Sequence, residues 1–196
     1  MFKGKYIVVE GIDGTGKSTL IAGLKRELEK RGASVVTLVE PTKGPWGQKI
    51  RKHLGDKARE LSGEQWLDLF ENDRRENMEQ YVRPALASGK CVIQDRSFYS
   101  TAAYQGAQGI DMETILKRNR SFAVEPDMVL ILDLDPAEAI ERIRTKRTMQ
   151  TDAFEQVDYL EKVRANFRAF MGKNIAHIDA SEPQEKVLEA ALEALG

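Results

Sequence analysis

An eight-residue string near the N-terminus constrains this chain more than anything else in it. Residues 11–18 read Gly-Ile-Asp-Gly-Thr-Gly-Lys-Ser, directly after the apolar run Tyr6 to Glu10 and directly before a helical pattern from Ser18 to Arg31. The spacing is G-x-x-x-x-G-K-[ST]. Glycine is needed where backbone N–H groups must curl around an anion, because a side chain blocks the approach and the left-handed conformation. The following helix aims its positive end at the same point. The string therefore predicts a cradle for a polyphosphate, made by Gly11, Ile12, Asp13, Gly14, Thr15, Gly16, Lys17, Ser18 and Thr19. Lys17 is expected to reach the β- and γ-phosphates and Ser18 to ligate Mg²⁺.

The rest of the chain alternates short strands with longer helices. Further strands are expected at Val35–Val39, Cys91–Gln94, Met128–Asp133 and Ile175–Ile178. Helices are expected at Trp46–His53, Ser62–Ser88, Asp111–Arg120, Pro136–Arg147, Val157–Met171 and Pro183–Leu195. Ser62 and Gln65 form a capping-box pattern, and Pro84 is expected to kink the last turn of its helix. This alternation implies an α/β fold: a P-loop NTPase-type five-stranded parallel sheet with helices on both faces, in one domain over residues 1–196. Ligands in such folds sit at the carboxyl ends of the strands. That rule puts Gly11, Glu40, Asp95 and the Asp133–Asp135 stretch on one rim.

The formal net charge is -1, with 31% charged and 41% apolar residues, so nothing points to nucleic acid or a membrane surface. The single cysteine, Cys91, excludes an internal disulfide, and two distant histidines, His53 and His177, do not suggest a zinc site. No apolar run is long enough to span a bilayer. A cytoplasmic location is expected. The [NT]-K-x-D guanine-reading motif is missing, and a polar segment near the C-terminus suits a kinase lid, at about residues 142–156.

Four further strings carry a resemblance. They are Glu40-Pro41-Thr42; Leu69-Phe70-Glu71-Asn72-Asp73-Arg74; Asp95-Arg96-Ser97-Phe98-Tyr99-Ser100-Thr101-Ala102-Ala103-Tyr104-Gln105-Gly106; and Leu132-Asp133-Leu134-Asp135-Pro136, with Phe154-Glu155 in the lid segment. Together with the glycine loop, they resemble the thymidylate kinases along nearly the whole chain. The resemblance implies transfer of a phosphoryl group from ATP to dTMP with Mg²⁺, and a homodimer built through the Ser62–Ser88 or Asp111–Arg120 helices. A same-fold kinase for another nucleotide, and a nucleotide-binding regulatory paralogue, are the competing readings.

Carried onto this sequence, the resemblance has Phe70 stack on the base and Arg74 bond its edge. Arg96 holds the acceptor phosphate, Ser100 and Thr101 line the base pocket, and Tyr104 lies under the deoxyribose. Gln105 sits beside the base, Glu40 and Pro41 flank the acceptor, and Asp13 contacts the sugar or a metal-bound water. Asp95 joins Ser18 as a metal candidate, or orients Arg96 without touching a ligand. Arg147, with Arg142 or Arg144 as alternatives, is expected to close over the ATP phosphates. Other roles fit some of these residues equally: Phe70 at helical spacing from Trp66 suits a core position, and Asp133 and Asp135 suit a strand end and a helix cap. Val39, Asn72, Ser97 and Ala153 depart from the family strings, all around the acceptor site and lid rather than the phosphate cradle.

Overall fold

The computed structural model describes residues 2–55, 61–146 and 153–196, with the side chains of 146 and 153–156 left aside. Five strands form one parallel sheet: β1 (Tyr6–Glu10), β2 (Val35–Val39), β3 (Cys91–Asp95), β4 (Met128–Asp133) and β5 (Ile175–Asp179), in the order β2-β3-β1-β4-β5. The central β1 pairs Tyr6 with Val92 on one side and Ile7 with Met128 on the other. Its five residues are all buried. Because successive side chains point to opposite faces, Ile7 and Val9 enter the main core while Tyr6 and Val8 enter a smaller cluster with Met78, Val82 and Val92. A strand covered on both faces reads as a continuous apolar run, which is why β1 and β4 were legible.

The helices are α1 (Lys17–Lys30), α2 (Pro45–Gly55), α3 (Gly63–Asn77), α4 (Arg83–Ala87), α5 (Phe98–Ala107), α6 (Met112–Arg120), α7 (Pro136–Lys146), α8 (Ala153–Ala169) and α9 (Gln184–Leu195). The predicted capping box opens α3: Ser62 Oγ accepts from Gln65 N at 3.2 Å, and Gln65 Oε1 accepts from Ser62 N at 2.9 Å.

The expected Ser62–Ser88 helix is present without a break from Gly63 to Ala87, but it contains a π turn where only a kink at Pro84 was expected. Met78–Val82 is a π turn, and Arg83 N bonds the Met78 carbonyl five residues back. Pro84 has no N–H to give and its ring crowds the preceding turn, so the widened turn relieves the conflict ahead of the proline rather than by a kink after it. A second correction is α5, which had no predicted counterpart. Phe98, Tyr99, Ser100, Thr101, Ala102, Ala103 and Gln105 are all buried in it, and a helix buried on every side shows no 3.6-residue periodicity. Two further helices differ at their starts, α1 beginning at Lys17 and α8 at Ala153.

Register fixes the functional rim. Val39 and Val9 both pair with Asp95, and Asp133 pairs with Asp179, so the strand ends lie level. The turn after β1, the Glu40–Pro41 corner after β2 and the Arg96 turn after β3 thus converge at one edge of the sheet.

Candidate active site

The turn between β1 and α1 has positive φ at Gly11 (132°), Gly14 (90°) and Gly16 (93°). A Cβ on Gly11 would lie 2.6 Å from the Leu132 carbonyl oxygen, and one on Gly14 would strike the Ala139 backbone. The loop is therefore pressed against β4 and α7, and glycine is the residue that fits. No side chain caps the start of α1 and no acidic residue lies in its first turn, so its N–H groups are left for an anion. Lys17 is buried and folds back over the loop, its Nζ donating to the carbonyls of Gly11 at 3.1 Å and Ile12 at 3.0 Å. Burial, with Arg96 nearby, pushes its pKa down to about 8 against the pull of Asp13, Asp95 and Glu10. Ile12 contributes its backbone, since its side chain belongs to the core. Beside the loop opens a cavity of about 920 Å³, whose walls include Gly14, Thr15, Gly16, Ser18, Thr19 and Arg142. Arg142 is steadied there by Glu138 Oε1 at 2.7 Å and the Ala180 carbonyl at 2.9 Å.

A second cavity of about 570 Å³ lies on the other side of the loop. Glu40, Pro41, Phe70, Arg74, Arg96, Ser100, Thr101, Tyr104 and Gln105 all line it, as does Asp13. Every acceptor-binding residue expected from the sequence is therefore in one place. Phe70 is half-buried and stacks on Trp66, ring centroids 5.9 Å apart at 28°, with both rings on the cavity wall. The core position at this turn of α3 belongs to Leu67 instead.

Arg74 is 1% exposed, at the cavity floor. It donates to Glu40 Oε2 from Nε (2.9 Å) and Nη2 (2.7 Å), to Asn119 Oδ1 (2.6 Å) and to Thr101 Oγ1 (3.0 Å). One N–H on Nη1 stays uncommitted among the described residues, on a side chain that lines the cavity. Glu40 Oε1 accepts from Asn77 at 3.0 Å and Gln94 at 3.1 Å. Burial pushes the Glu40 carboxyl up, and Arg74 and Asn77 pull it back. Gln105 is 4% exposed, and its Oε1 has no hydrogen-bond partner among the described residues.

Arg96 has a left-handed backbone, φ 68°, unusual for a residue with a side chain. Its Nη2 donates to Asp13 Oδ1 at 2.7 Å, its Nη1 donates to Ser100 Oγ at 2.8 Å, and its guanidinium lies 5.4 Å from the Tyr104 ring centre. Burial works against ionisation of Asp13, but the charges of Arg96 and Lys17 outweigh it and hold the pKa at about 2. Asp13 thus joins the two cavities: it belongs to the loop, lies 3.7 Å from the Lys17 ammonium and pairs with Arg96 across the acceptor space. Asp95 is not an ion-pair partner of Arg96. Its Oδ1 is buried without a partner among the described residues, and burial pushes its carboxyl up while Lys17 and Arg96 oppose.

Other expectations resolve toward structure. Asp133 is bridged by Arg164 (2.8 Å) and Arg168 (2.6 Å), and Asp135 accepts from Ala137 N at 2.9 Å as a helix cap. Arg147 and the polar segment at 147–152 lie outside the described residues, and Arg144 is exposed on α7. Several residues around the site had no expected role. Arg51, Trp66, Gln108 and Tyr159 line the acceptor cavity, while Glu10, Gln94, Asn77 and Asn119 support it from beneath. Tyr159 Oη donates to the Tyr104 carbonyl at 3.0 Å, so α8 is tied to α5 beside the cavity. The available signals were a Glu and a Gln, Glu10 and Gln94, each at the end of an expected strand of otherwise apolar residues, and neither was given a role.

A parallel sheet ordered 2-3-1-4-5, a glycine cradle ahead of α1 and a second cavity across the cradle define a P-loop nucleotide kinase. Comparison with known proteins narrows the class: the family model described as thymidylate kinase matches residues 9–191. A thymidylate kinase of Desulfotalea psychrophila is 44% identical over 184 residues, covering 94% of this chain and 90% of the relative. One from Xanthomonas campestris pv. campestris is 45% identical over 190 residues (96% and 81%), and one from Brachyspira hyodysenteriae 40% over 193 residues (98% and 94%). The chain belongs to the thymidylate kinase family and is a phosphotransferase.

Proposed function

We infer that this enzyme transfers the γ-phosphoryl group of ATP to dTMP, giving dTDP and ADP. One observation carries the reading: the residues expected to bind the acceptor line a single cavity that meets the phosphate loop at the Asp13–Arg96 pair. The larger cavity beyond the loop takes the donor, with its triphosphate on the loop amides and Lys17. The acceptor's base enters between Phe70 and the Arg74 floor. The uncommitted Arg74 N–H and the unpaired Gln105 carbonyl oxygen offer a donor and an acceptor to a pyrimidine edge. Tyr104 lies under the sugar.

The acceptor phosphate is an anion at neutral pH, its second pKa being about 6, so no base is required. Arg96 presents a planar fork from the cavity wall that matches phosphate geometry. Lys17 supplies positive charge from the loop side, where charge on the transferring group must be met. Asp13 keeps the two cations from repelling the loop open. Ser18 and the orphaned Asp95 Oδ1 would hold Mg²⁺, a hard cation that prefers oxygen ligands. No group of three or more acidic, His or Cys side chains is poised to cage a metal among the described residues, which suits an ion that takes its other ligands from phosphate and water. Bound there, it would neutralise phosphate charge. Arg142 lines the donor cavity and Arg147 follows it in sequence, and we assign both to the ATP phosphates.

We assign the enzyme to the cytoplasm from its proposed nucleotide substrates; no described helix is long and apolar enough to cross a membrane. A second copy packs through α3 or α6, as light scattering of the purified protein will show by a dimeric mass. The activity is tested by coupled ADP release over a panel of nucleoside monophosphates. The expected result is highest kcat/KM with dTMP. Preference for dUMP or another acceptor overturns the substrate assignment, and ATP binding without turnover on any acceptor overturns the enzymatic one.

A further inference from the structure

We propose that Glu10 is a positioning residue for Arg96, setting both its strained turn and the direction of its guanidinium through Ser97 and Ser100. The inference rests on the reading that Arg96 holds the acceptor phosphate.

Glu10 ends β1 and is fully buried, yet no cation contacts it among the described residues. Instead its carboxylate gathers donors from the segment after Arg96. Oε1 accepts from Ser97 N at 2.7 Å, Ser97 Oγ at 2.8 Å and Ser100 N at 3.3 Å, and Oε2 accepts from Ser100 Oγ. A buried charge without a salt bridge is costly unless hydrogen bonds converge on it. Here they do: both backbone N–H groups share Oε1, and the Ser100 hydroxyl, which already accepts from Arg96, needs a second acceptor at Oε2, so the geometry selects a carboxylate.

The same Ser100 Oγ accepts a hydrogen bond from Arg96 Nη1 at 2.8 Å. With that N–H donating inward, the hydroxyl hydrogen is directed at Glu10. Arg96, Ser100 and Glu10 thus form one polarised line from the cavity wall to the end of β1. A non-glycine residue at φ 68° also has to be held there by its surroundings. Arg96 N donates to the Val9 carbonyl at 3.0 Å, and Gln94 Nε2 donates to the Arg96 carbonyl at 2.8 Å. Glu10 fixes the following residue by both its N–H and its hydroxyl. A side chain needed only to fill the core would not carry four donors on a turn that presents a cation to the substrate.

The test is Glu10→Gln, which keeps the shape and one acceptor oxygen but loses the charge. In steady-state kinetics KM for dTMP is expected to rise roughly tenfold or more, the scale of one weakened charge-assisted hydrogen bond, while KM for ATP stays within about threefold. Combined with Arg96→Lys, the Glu10→Gln effect should shrink to less than about threefold, because the group it positions is gone. Ser100→Ala should reproduce the dTMP defect but add less than about threefold in the Arg96→Lys background, which separates positioning of Arg96 from any contact Ser100 itself makes in the cavity, and Ser100→Thr, which keeps the hydroxyl, should keep the parental KM. That pair decides the matter if Glu10→Gln fails to fold. Unchanged dTMP kinetics in folded Glu10→Gln, beside an impaired Arg96→Lys, would overturn the proposal, as would the same loss in both backgrounds. Unchanged dTMP kinetics in Arg96→Lys itself would instead overturn the role of Arg96 on which the proposal rests.

Discussion

Removing Arg74 should destabilise this enzyme strongly, before any effect on base recognition is read. Arg74 and Glu40 are 1% and 3% exposed, and Arg74 places two N–H groups on one Glu40 oxygen at 2.9 and 2.7 Å. In Arg74→Leu the Glu40 carboxylate keeps only the neutral donors Asn77 and Gln94, and the Asn119 and Thr101 oxygens lose their donor. Breaking a buried pair in this way costs about 3–5 kcal/mol. At about 2–4 °C per kcal/mol for a chain of this length, the melting temperature should drop by ~6–20 °C. The deficit carries a pH signature. Burial already raises the Glu40 carboxyl, and losing Arg74 raises it further. A carboxyl with a folded pKa above its unfolded value of about 4.3 favours the fold below that value, and the benefit is lost as pH rises through the folded pKa. The difference in melting temperature between Arg74→Leu and the parent should therefore be larger near pH 8 than near pH 5. Glu40→Gln in the same background should recover most of it. Thermal melts followed by circular dichroism supply the numbers. A deficit below ~3 °C, or one independent of pH, would refute the claim that a stranded carboxylate is the cause.

Lys17→Ala should lower kcat at least ~100-fold, the scale of losing one group that meets transition-state charge, with thermal stability retained, as a coupled assay and a melt will show together. Because the Lys17 ammonium has a pKa of about 8, ATP affinity should weaken as pH rises from neutrality through that value, and Lys17→Arg should flatten the dependence in a titration by calorimetry. Gln105→Leu removes a buried oxygen that has no partner, so its melting temperature should hold or rise while KM for dTMP increases; a rise in neither would detach Gln105 from the base. Gly11→Ala should cost several kcal/mol in denaturant unfolding, since its Cβ meets the Leu132 carbonyl oxygen at 2.6 Å.

The legible parts of this fold were those governed by local rules. The glycine loop, the capping box at Ser62 and the apolar runs of β1 and β4 each follow from chemistry within a few residues. The rim was legible because parallel topology sends every strand end to one edge. What escaped depends on partners distant in sequence. Burial of α5 on all sides erased its period, and the π turn needs Pro84 to be read together with the packing of Met78 and Val82. The acceptor residues named by resemblance line one cavity, but the resemblance assigned Ser100 to the base pocket alone. Only the fold shows that its hydroxyl also joins Arg96 to Glu10, which is 90 positions away. The Glu40–Arg74–Asn119 chain likewise spans β2, α3 and α6, and no spacing rule links those segments.

The widened turn at Met78–Val82 also determines where the gene can lose a codon. Trp66, Phe70 and Arg74 follow one another at intervals of four, and together they make one wall of the acceptor cavity. Dropping a residue among them would swing everything upstream by about 100° around the helix axis and turn that wall away from the ligand. The π turn instead carries one residue more than an α-helix needs, and it bulges at the exposed Glu79, Gln80 and Tyr81. Excising Gln80 should let the segment relax to ordinary helix while both flanking faces keep their bearings, with KM for dTMP unchanged. Length variation within this helical arm is therefore expected to be tolerated at its outward bend and rejected one turn earlier.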